Sequence, residues 1–212
     1  MKSPRSEMVC FAGFPGSGKS SLIALMASDL RAVGYKVYTS GIVVKGIPEY
    51  DLSLIDRNIW PAAGCILLID ESGLDLNNQR TLSDRERQFF KLYRHNKDEY
   101  REMTIIYFSQ NLEDTNIVLR RLTVAYFWLK KVGSFTMSFP ILSKLCIKPF
   151  VPNAGLFDPN RGYGDMQIGY KVGSVFSPGF RVFYRPRAYA LFNSHVLPKG
   201  VMILEYEDAS ED

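Results

Sequence analysis

The chain has 212 residues, 46% of them hydrophobic and 23% charged, which suits one globular domain with a sizeable core and excludes a largely disordered protein. Its net charge of +4 hides an asymmetry: the last nine residues carry five of the 22 acids and no base, leaving 26 bases against 17 acids on residues 1–203. A body of that sign suits a polyanionic partner, and equally a solvated surface with a solubilising tail.

In chain order, residues 8–12 (MVCFA) read as a buried strand, and Ser20 to Val33 as a helix that Gly34 closes. Residues 35–45 are β-rich and broken by Gly41, and a short helix is expected over 47–59, started after Pro48. Residues 65–70 (CILLID) are a continuous apolar run ending in an acid, the pattern of a central parallel strand. Residues 83–99 open with the capping-box pair Ser83 and Glu86, and Phe89, Phe90, Leu92 and Tyr93 then supply a helical apolar face. A strand over 103–110, a short helix over 116–122 and a strand over 124–132 follow. Strands alternating with helices in this way predict a mainly parallel α/β sheet covered on both faces.

After Gly133 the texture changes to more Gly, Pro and aromatic residues, with β-type stretches such as DMQIGYKV and FRVFYRP. The expected division is a core over 1–133, a β-rich extension of the same domain with antiparallel additions over 134–203, and an acidic tail over 204–212. Cys10, Cys65 and Cys146 sit far apart in apolar runs, which fits reduced, buried thiols in a cytoplasmic protein. The start of the chain leads into a glycine loop and not into a cleavable apolar segment, and the best apolar run, 122–129, is far too short to span a bilayer.

Between the first strand and the first helix stands G-x-x-x-x-G-K-S, from Gly13 through Phe14, Pro15, Gly16, Ser17, Gly18 and Lys19 to Ser20, with Ser21 following. Glycines let successive backbone N–H groups curl around a phosphate, and the helix N-terminus adds donors and a positive dipole end. Lys19 can reach the β- and γ-phosphates, and the Ser20 hydroxyl can ligate Mg²⁺. The strand before and the helix after are the context this motif requires. Its second half is expected at the tip of another buried strand, and Asp70 and Glu71 supply it. Asp70 would hold the metal, and Glu71 would polarise the attacking water. Gln110, at the end of the strand over 103–110, is the candidate γ-phosphate sensor. Arg120 and Arg121 follow closely, as a candidate arginine finger for a neighbouring subunit or as ordinary solvated bases.

Asp70-Glu-Ser-Gly73 also spells D-x-x-G, but the nearest match to a guanine-reading N-K-x-D ends in Glu99 and lies in a predicted helix, so a GTP switch loses on both counts. A small-molecule kinase could draw on Arg85, Arg87, Arg94 and Arg101, while Glu directly after the strand-terminal Asp favours water as acceptor. A slow, nucleotide-dependent assembly adaptor is a third reading. Basic residues Lys130, Lys131, Arg181, Arg185 and Arg187, interleaved with Phe183, Tyr184 and Tyr189, could contact a DNA backbone and stack on bases, or be an ordinary β-surface.

With these residues in place, the chain resembles the zonular occludens toxin-like (Zot-like) ATPases, the filamentous-phage assembly proteins. The points of similarity run in order: the phosphate loop, VVKGIPEYDL, PAAGCILLIDES with its Walker B strand, the stretch carrying Arg94-His95 and then Gln110 and the Arg120-Arg121 helix, and YALFNSHV near the end. The resemblance implies a RecA-like fold with strand order 5-1-4-3-2 and ATP with Mg²⁺ as cofactors. On it, Lys19 and Ser20 bind nucleotide and metal, Asp70 binds the metal, Glu71 acts on the water and Gln110 on the γ-phosphate. It further implies a homo-oligomer, a hexamer for instance, that helps extrude single-stranded DNA or phage nucleoprotein beside inner-membrane assembly proteins. Family members commonly continue into a transmembrane helix. This sequence shows none, as expected either of a shortened piece of such a protein or of a short relative that reaches the membrane through a partner, and the expected place is the cytoplasm or the cytoplasmic face of the host membrane. The toxin activity behind the family's name is not carried over.

Overall fold

An apolar run such as Cys65–Ile69 has no polar face to turn to water, so it needs cover above and below. The computed structural model, which describes residues 6–70, 76, 80–93, 102–113, 115–146, 168–172, 175–177 and 179–192, supplies it. Strands β1 (Met8–Ala12), β2 (Lys36–Ser40), β3 (Cys65–Ile69), β4 (Thr104–Ser109) and β5 (Ala125–Val132) are all parallel and lie in the order 5-1-4-3-2. This is the RecA-like order that the resemblance implies. β6 (Phe135–Cys146) turns back antiparallel against β5, and β7 (Ile168–Val172) and β8 (Arg181–Tyr184) pair antiparallel with β6, so the sheet has eight strands among the described residues.

Strand side chains alternate between faces, and each face has its own core. Phe11, Ile66, Leu68, Ile106 and Phe108 pack under helix α1 (Lys19–Ala32), whose Leu22, Ile23, Ala24 and Ala27 are buried. Cys10, Leu67, Ile69, Ile105 and Tyr107 face the other way, covered by Phe89 and Phe90 of α2 (Asp84–Leu92), Leu119 of α3 (Ile117–Leu122) and Ile55 of a 3-10 turn (Leu52–Arg57). Phe11 is sandwiched between Phe108 and Phe127, with ring centroids 5.2 and 5.0 Å away. The three rings form a row across β4, β1 and β5 that holds the middle of the sheet. Burial also pushes the Tyr107 phenol far above its ordinary pKa, so it stays protonated, its oxygen 2.8 Å from Thr123 Oγ1.

The local signals account for most element ends. Ser83 Oγ accepts from the Glu86 amide at 3.1 Å while Glu86 Oε2 accepts from the Ser83 amide at 2.8 Å, the reciprocal box that starts α2. Of the helix expected over 83–99, the described part runs to Leu92. The helix expected over 47–59 is shorter. Residues 48–50 stay extended because Thr39 of β2 donates to the Pro48 carbonyl and accepts from the Tyr50 amide. Asp51 then accepts from the Ser53 amide at 2.8 Å and starts the turn at Leu52.

The described residues after Gly133 are tied to the core. A two-residue turn, Gly133-Ser134, brings Phe135 opposite Val132. β6 pairs with β8 over Phe135–Ser138 and with β7 from Ile141, so the change of partner falls at Pro140, a residue that cannot donate to a ladder. A 3-10 turn, Arg185–Ala188, then lies against α1 with Ala188 fully buried. Beyond it the Leu191 carbonyl accepts from the Lys45 amide at 2.7 Å. Among the described residues no helix is long and apolar enough to cross a membrane.

Phe108→Ala should lower unfolding free energy by about 3–5 kcal/mol, because it empties a buried site and breaks the aromatic row. Arg187→Ala should change it by less than about 1 kcal/mol, since Arg187 and Asp29 meet at 3.5 Å with both side chains more than 60% exposed. Urea unfolding of the two variants beside the parent chain measures both.

Candidate nucleotide site

The loop leaves β1 after Ala12, and its first amide continues the sheet: Gly13 donates to the Ser109 carbonyl at 3.1 Å. A Cβ at Gly13 would lie 2.7 Å from Ser17 Oγ and 2.9 Å from the Leu129 carbonyl oxygen, so only glycine fits. The Ser17 amide donates back to the Phe14 carbonyl at 3.0 Å and closes the turn. Gly18 takes the left-handed conformation at φ +94° as the N-cap of α1, and no side chain caps that helix. Its first turn also holds no acid. The orphan N–H groups and the positive dipole end therefore face the loop, the arrangement that suits an anion.

Lys19 and Asp70 are charged and almost wholly buried, at 7% and 6% exposure. Such groups persist only with polar partners. Lys19 Nζ donates to the carbonyls of its own loop, Gly13 at 2.8 Å and Phe14 at 3.3 Å. Ser20 Oγ donates to Asp70 Oδ2 at 2.9 Å, which joins the start of α1 to the end of β3 across a separation of 50 residues. The Asp70 amide is itself held by the Ser40 carbonyl at 2.8 Å, one strand further out. Ser17 Oγ, inside the loop, is buried without a hydrogen-bond partner.

These residues fit a nucleotide and its metal. The orphan hydroxyl, the uncapped helix and a cation resting on carbonyl oxygens are donors that phosphate oxygens would satisfy. The Ser20 hydroxyl and the Asp70 carboxylate are hard oxygen ligands that already stand side by side, as Mg²⁺ requires. Phe14, Pro15 and Gly16 form the exposed tip, where Phe14 packs edge-on against Trp128 at 5.1 Å. Ser21 turns inward and is buried.

Gln110 lies just past the end of β4 and is exposed. Its neighbour Ser109 carries the carbonyl that anchors Gly13, so Gln110 stands beside the loop. Arg120 and Arg121 are elsewhere. They close α3 near the entrance of β5, where the Val124 amide donates to the Met8 carbonyl at the start of β1. The phosphate loop leaves from the far end of β1, roughly 13 Å along the strand. The fold thus does not bring these arginines to the loop of their own chain. Glu71 lies outside the described residues, as do Arg94 and His95.

Two further residues touch the loop that sequence reasoning had not assigned to it. Thr136 of β6, fully buried, donates to the Ser17 carbonyl at 3.1 Å. A Cβ at Gly18 would overlap the Thr136 hydroxyl and come 3.0 Å from Arg185 Cδ. Of the basic and aromatic set considered for DNA, Lys130, Lys131, Arg181, Tyr184, Arg187 and Tyr189 are exposed, whereas Phe183 packs half-buried on the α1 core.

No protein-family profile matches the sequence, and no curated protein does. Among solved structures, the N-terminal domain of zonular occludens toxin from Neisseria meningitidis is similar over 90% of this chain and 100% of that one, at 16% identity and a TM-score of 0.51. The genome packaging NTPase B204 from Sulfolobus turreted icosahedral virus 2, solved with ATP-gammaS, matches over 60% of this chain and 77% of its own at 14% identity and a TM-score of 0.45. The flagellar accessory protein FlaH from Methanocaldococcus jannaschii matches over 66% and 78%, at 13% identity and a TM-score of 0.45. The first of these likenesses establishes a shared fold.

Replacing Thr136 by valine leaves the Ser17 carbonyl buried without its donor. The variant should lose about 1–3 kcal/mol of unfolding free energy, whereas Thr136→Ser, which keeps the hydroxyl, should lose less than half as much. Denaturant midpoints of the two variants read the difference.

Proposed function

We propose that this protein is a Mg²⁺-dependent, Zot-like ATPase that works as a homo-oligomer to move single-stranded DNA or phage nucleoprotein during virion assembly. The observation that carries the ATPase part is the Lys19, Ser20 and Asp70 arrangement: a buried cation on loop carbonyls and two metal-type oxygens 2.9 Å apart at the N-terminus of an uncapped helix. The likeness of fold to the zonular occludens toxin domain supports the choice of family. The excess of basic over acidic residues before the tail favours a polyanionic cargo.

On this reading, Lys19 exchanges its carbonyl partners for oxygens of the β- and γ-phosphates, and the loop amides hold the β-phosphate. Ser20 and Asp70 would hold Mg²⁺, which when bound would supply positive charge against that developing on the phosphates. Glu71, next in sequence to Asp70, accepts a proton from the water that attacks the γ-phosphorus. The bond from phosphorus to the bridging oxygen breaks, and ADP and phosphate leave. Gln110 orients that water or reports the γ-phosphate. Arg120 or Arg121, distant from the loop of their own chain, would act on a neighbouring subunit's nucleotide.

The test is steady-state hydrolysis by the purified chain, with and without single-stranded DNA. DNA should stimulate ATP turnover. Glu71→Gln should lower turnover by about 100-fold or more while ATP still binds, and Lys19→Ala should lose binding as well. Binding of ATP with no turnover under either condition would replace the motor reading with that of a nucleotide-dependent adaptor.

A further inference from the structure

Antiparallel strands over a core ordinarily turn apolar residues inward and polar ones to water. The ladder of β5, β6 and β8 does the reverse. Phe127 and Leu129 of β5 belong to the core under α1, and Tyr126 and Trp128 to the opposite face. Lys130 and Val132 therefore continue the face turned away from α1. On β6 the residues across from Leu129 and Lys131 are Ser138 and Thr136, both fully buried on the side of α1 and the phosphate loop. Across from Lys130 and Val132 stand Met137 and Phe135, and Val182 and Tyr184 extend these rows on β8. Val132 and Phe135 are each 42% exposed, and Val182 and Tyr184 each 48%. The small hydroxyls are inside and the large apolar groups outside, the mark of a surface that meets a partner.

This face is ordered by its own aromatic contacts. At the hairpin end the Phe135 and Tyr184 rings meet at 5.3 Å, and farther along β6 the half-buried Phe139 meets Phe180 at 5.1 Å. Phe135 and Phe139 are about 13 Å apart along the strand. Between them Met137 pairs with the exposed Lys130. Trp128, across from Phe139, holds Phe14 of the phosphate loop at 5.1 Å, so the face runs from the hairpin turn to the tip of that loop. Its electrostatic setting has one sign. β5, β6 and β8 contain no acid, and residues 115–204 hold 12 bases against two acids.

We propose that the face of β5, β6 and β8 turned away from α1 holds the single-stranded DNA cargo, a reading that rests on the cargo proposed above. Unpaired bases stack on Phe135 and Tyr184 at one end and on Phe139 and Phe180 at the other, while Lys130 meets the phosphates between them. Stacking accepts any base, as a cargo that moves along the surface requires. A second copy of the chain would bring the same positive charge to the contact, which disfavours self-association through this face. The assignment also sorts the basic residues. Lys131 and Arg181 share the α1 side with Thr136 and Ser138, and Arg187 reaches Asp29 of α1, so these three lie off the track.

Fluorescence anisotropy of labelled strands titrated with the full chain tests the proposal, with oligothymidine beside an abasic strand of the same length. The parent should bind oligothymidine at least about tenfold more tightly than the abasic strand. Phe135→Ala and Tyr184→Ala, both at exposed positions, should each lose most of that preference while abasic affinity stays within about twofold. Lys130→Gln should weaken both strands alike and lower the slope of log affinity against log salt by about 0.7. Tyr189→Ala, at the end of the 3-10 turn against α1, should change neither. Equal affinity of the parent for the two strands, or a preference that survives both aromatic substitutions, overturns the track and leaves the cargo reading standing. Binding of neither strand by the parent overturns the cargo reading and the track together. Lost self-association of the aromatic variants in light scattering, with their strand preference intact, would overturn the track and make the face a contact between copies.

Discussion

The hydrogen bond from the Gly13 amide to the Ser109 carbonyl, 3.1 Å long, is the constraint on which the site depends. It extends the β1–β4 pairing one residue beyond the strand, so the loop departs at a fixed height beside the end of β4. Parallel strands make this useful, because β1, β3 and β4 all end on one edge of the sheet. Gly13, Asp70 and Gln110 are thereby delivered to the same edge, although they are scattered over about a hundred residues of chain. An antiparallel arrangement of the same strands would have sent one of them to the opposite edge.

The antiparallel strands matter to the site for a different reason. A flexible glycine loop loses much of its chain entropy when it orders around a ligand. Thr136 holds the Ser17 carbonyl, and Arg185 bridges Gly18 to the hairpin turn, so part of that ordering is already present. The strap from Arg185 to Phe192 crosses α1 and ends on Val44 and Lys45, beyond β2. It fixes α1, whose N-terminus faces the loop, from the side that the parallel strands leave bare.

What the sequence makes legible is local or periodic. The five parallel strands, the capping box at Ser83 and the phosphate loop each carry a pattern within a few residues. The strand order, by contrast, came through the resemblance, since alternation alone leaves the order of a parallel sheet open. Residues 48–50 mislead because Pro48 marks a helix start, while the bonds that keep them extended come from Thr39 on another strand. Thr136 is invisible for the same reason: its partner is 119 residues away, and a lone threonine in a β-type stretch resembles any other. Arg120 and Arg121 could be found as an arginine pair, but their remoteness from their own loop follows from the direction in which α3 returns to β5.

Phe14 at the loop tip has a consequence for what can be seen of the loop. It is 68% exposed and makes a T-shaped contact with Trp128 on β5, the strand that leads directly into the β6 hairpin. One of only two indoles in the chain thus sits against the tip of the loop. The other, Trp60, packs edge to face with Phe89 of α2, with ring centroids 5.3 Å apart. The molecule therefore carries one intrinsic fluorophore beside its loop and a second against α2.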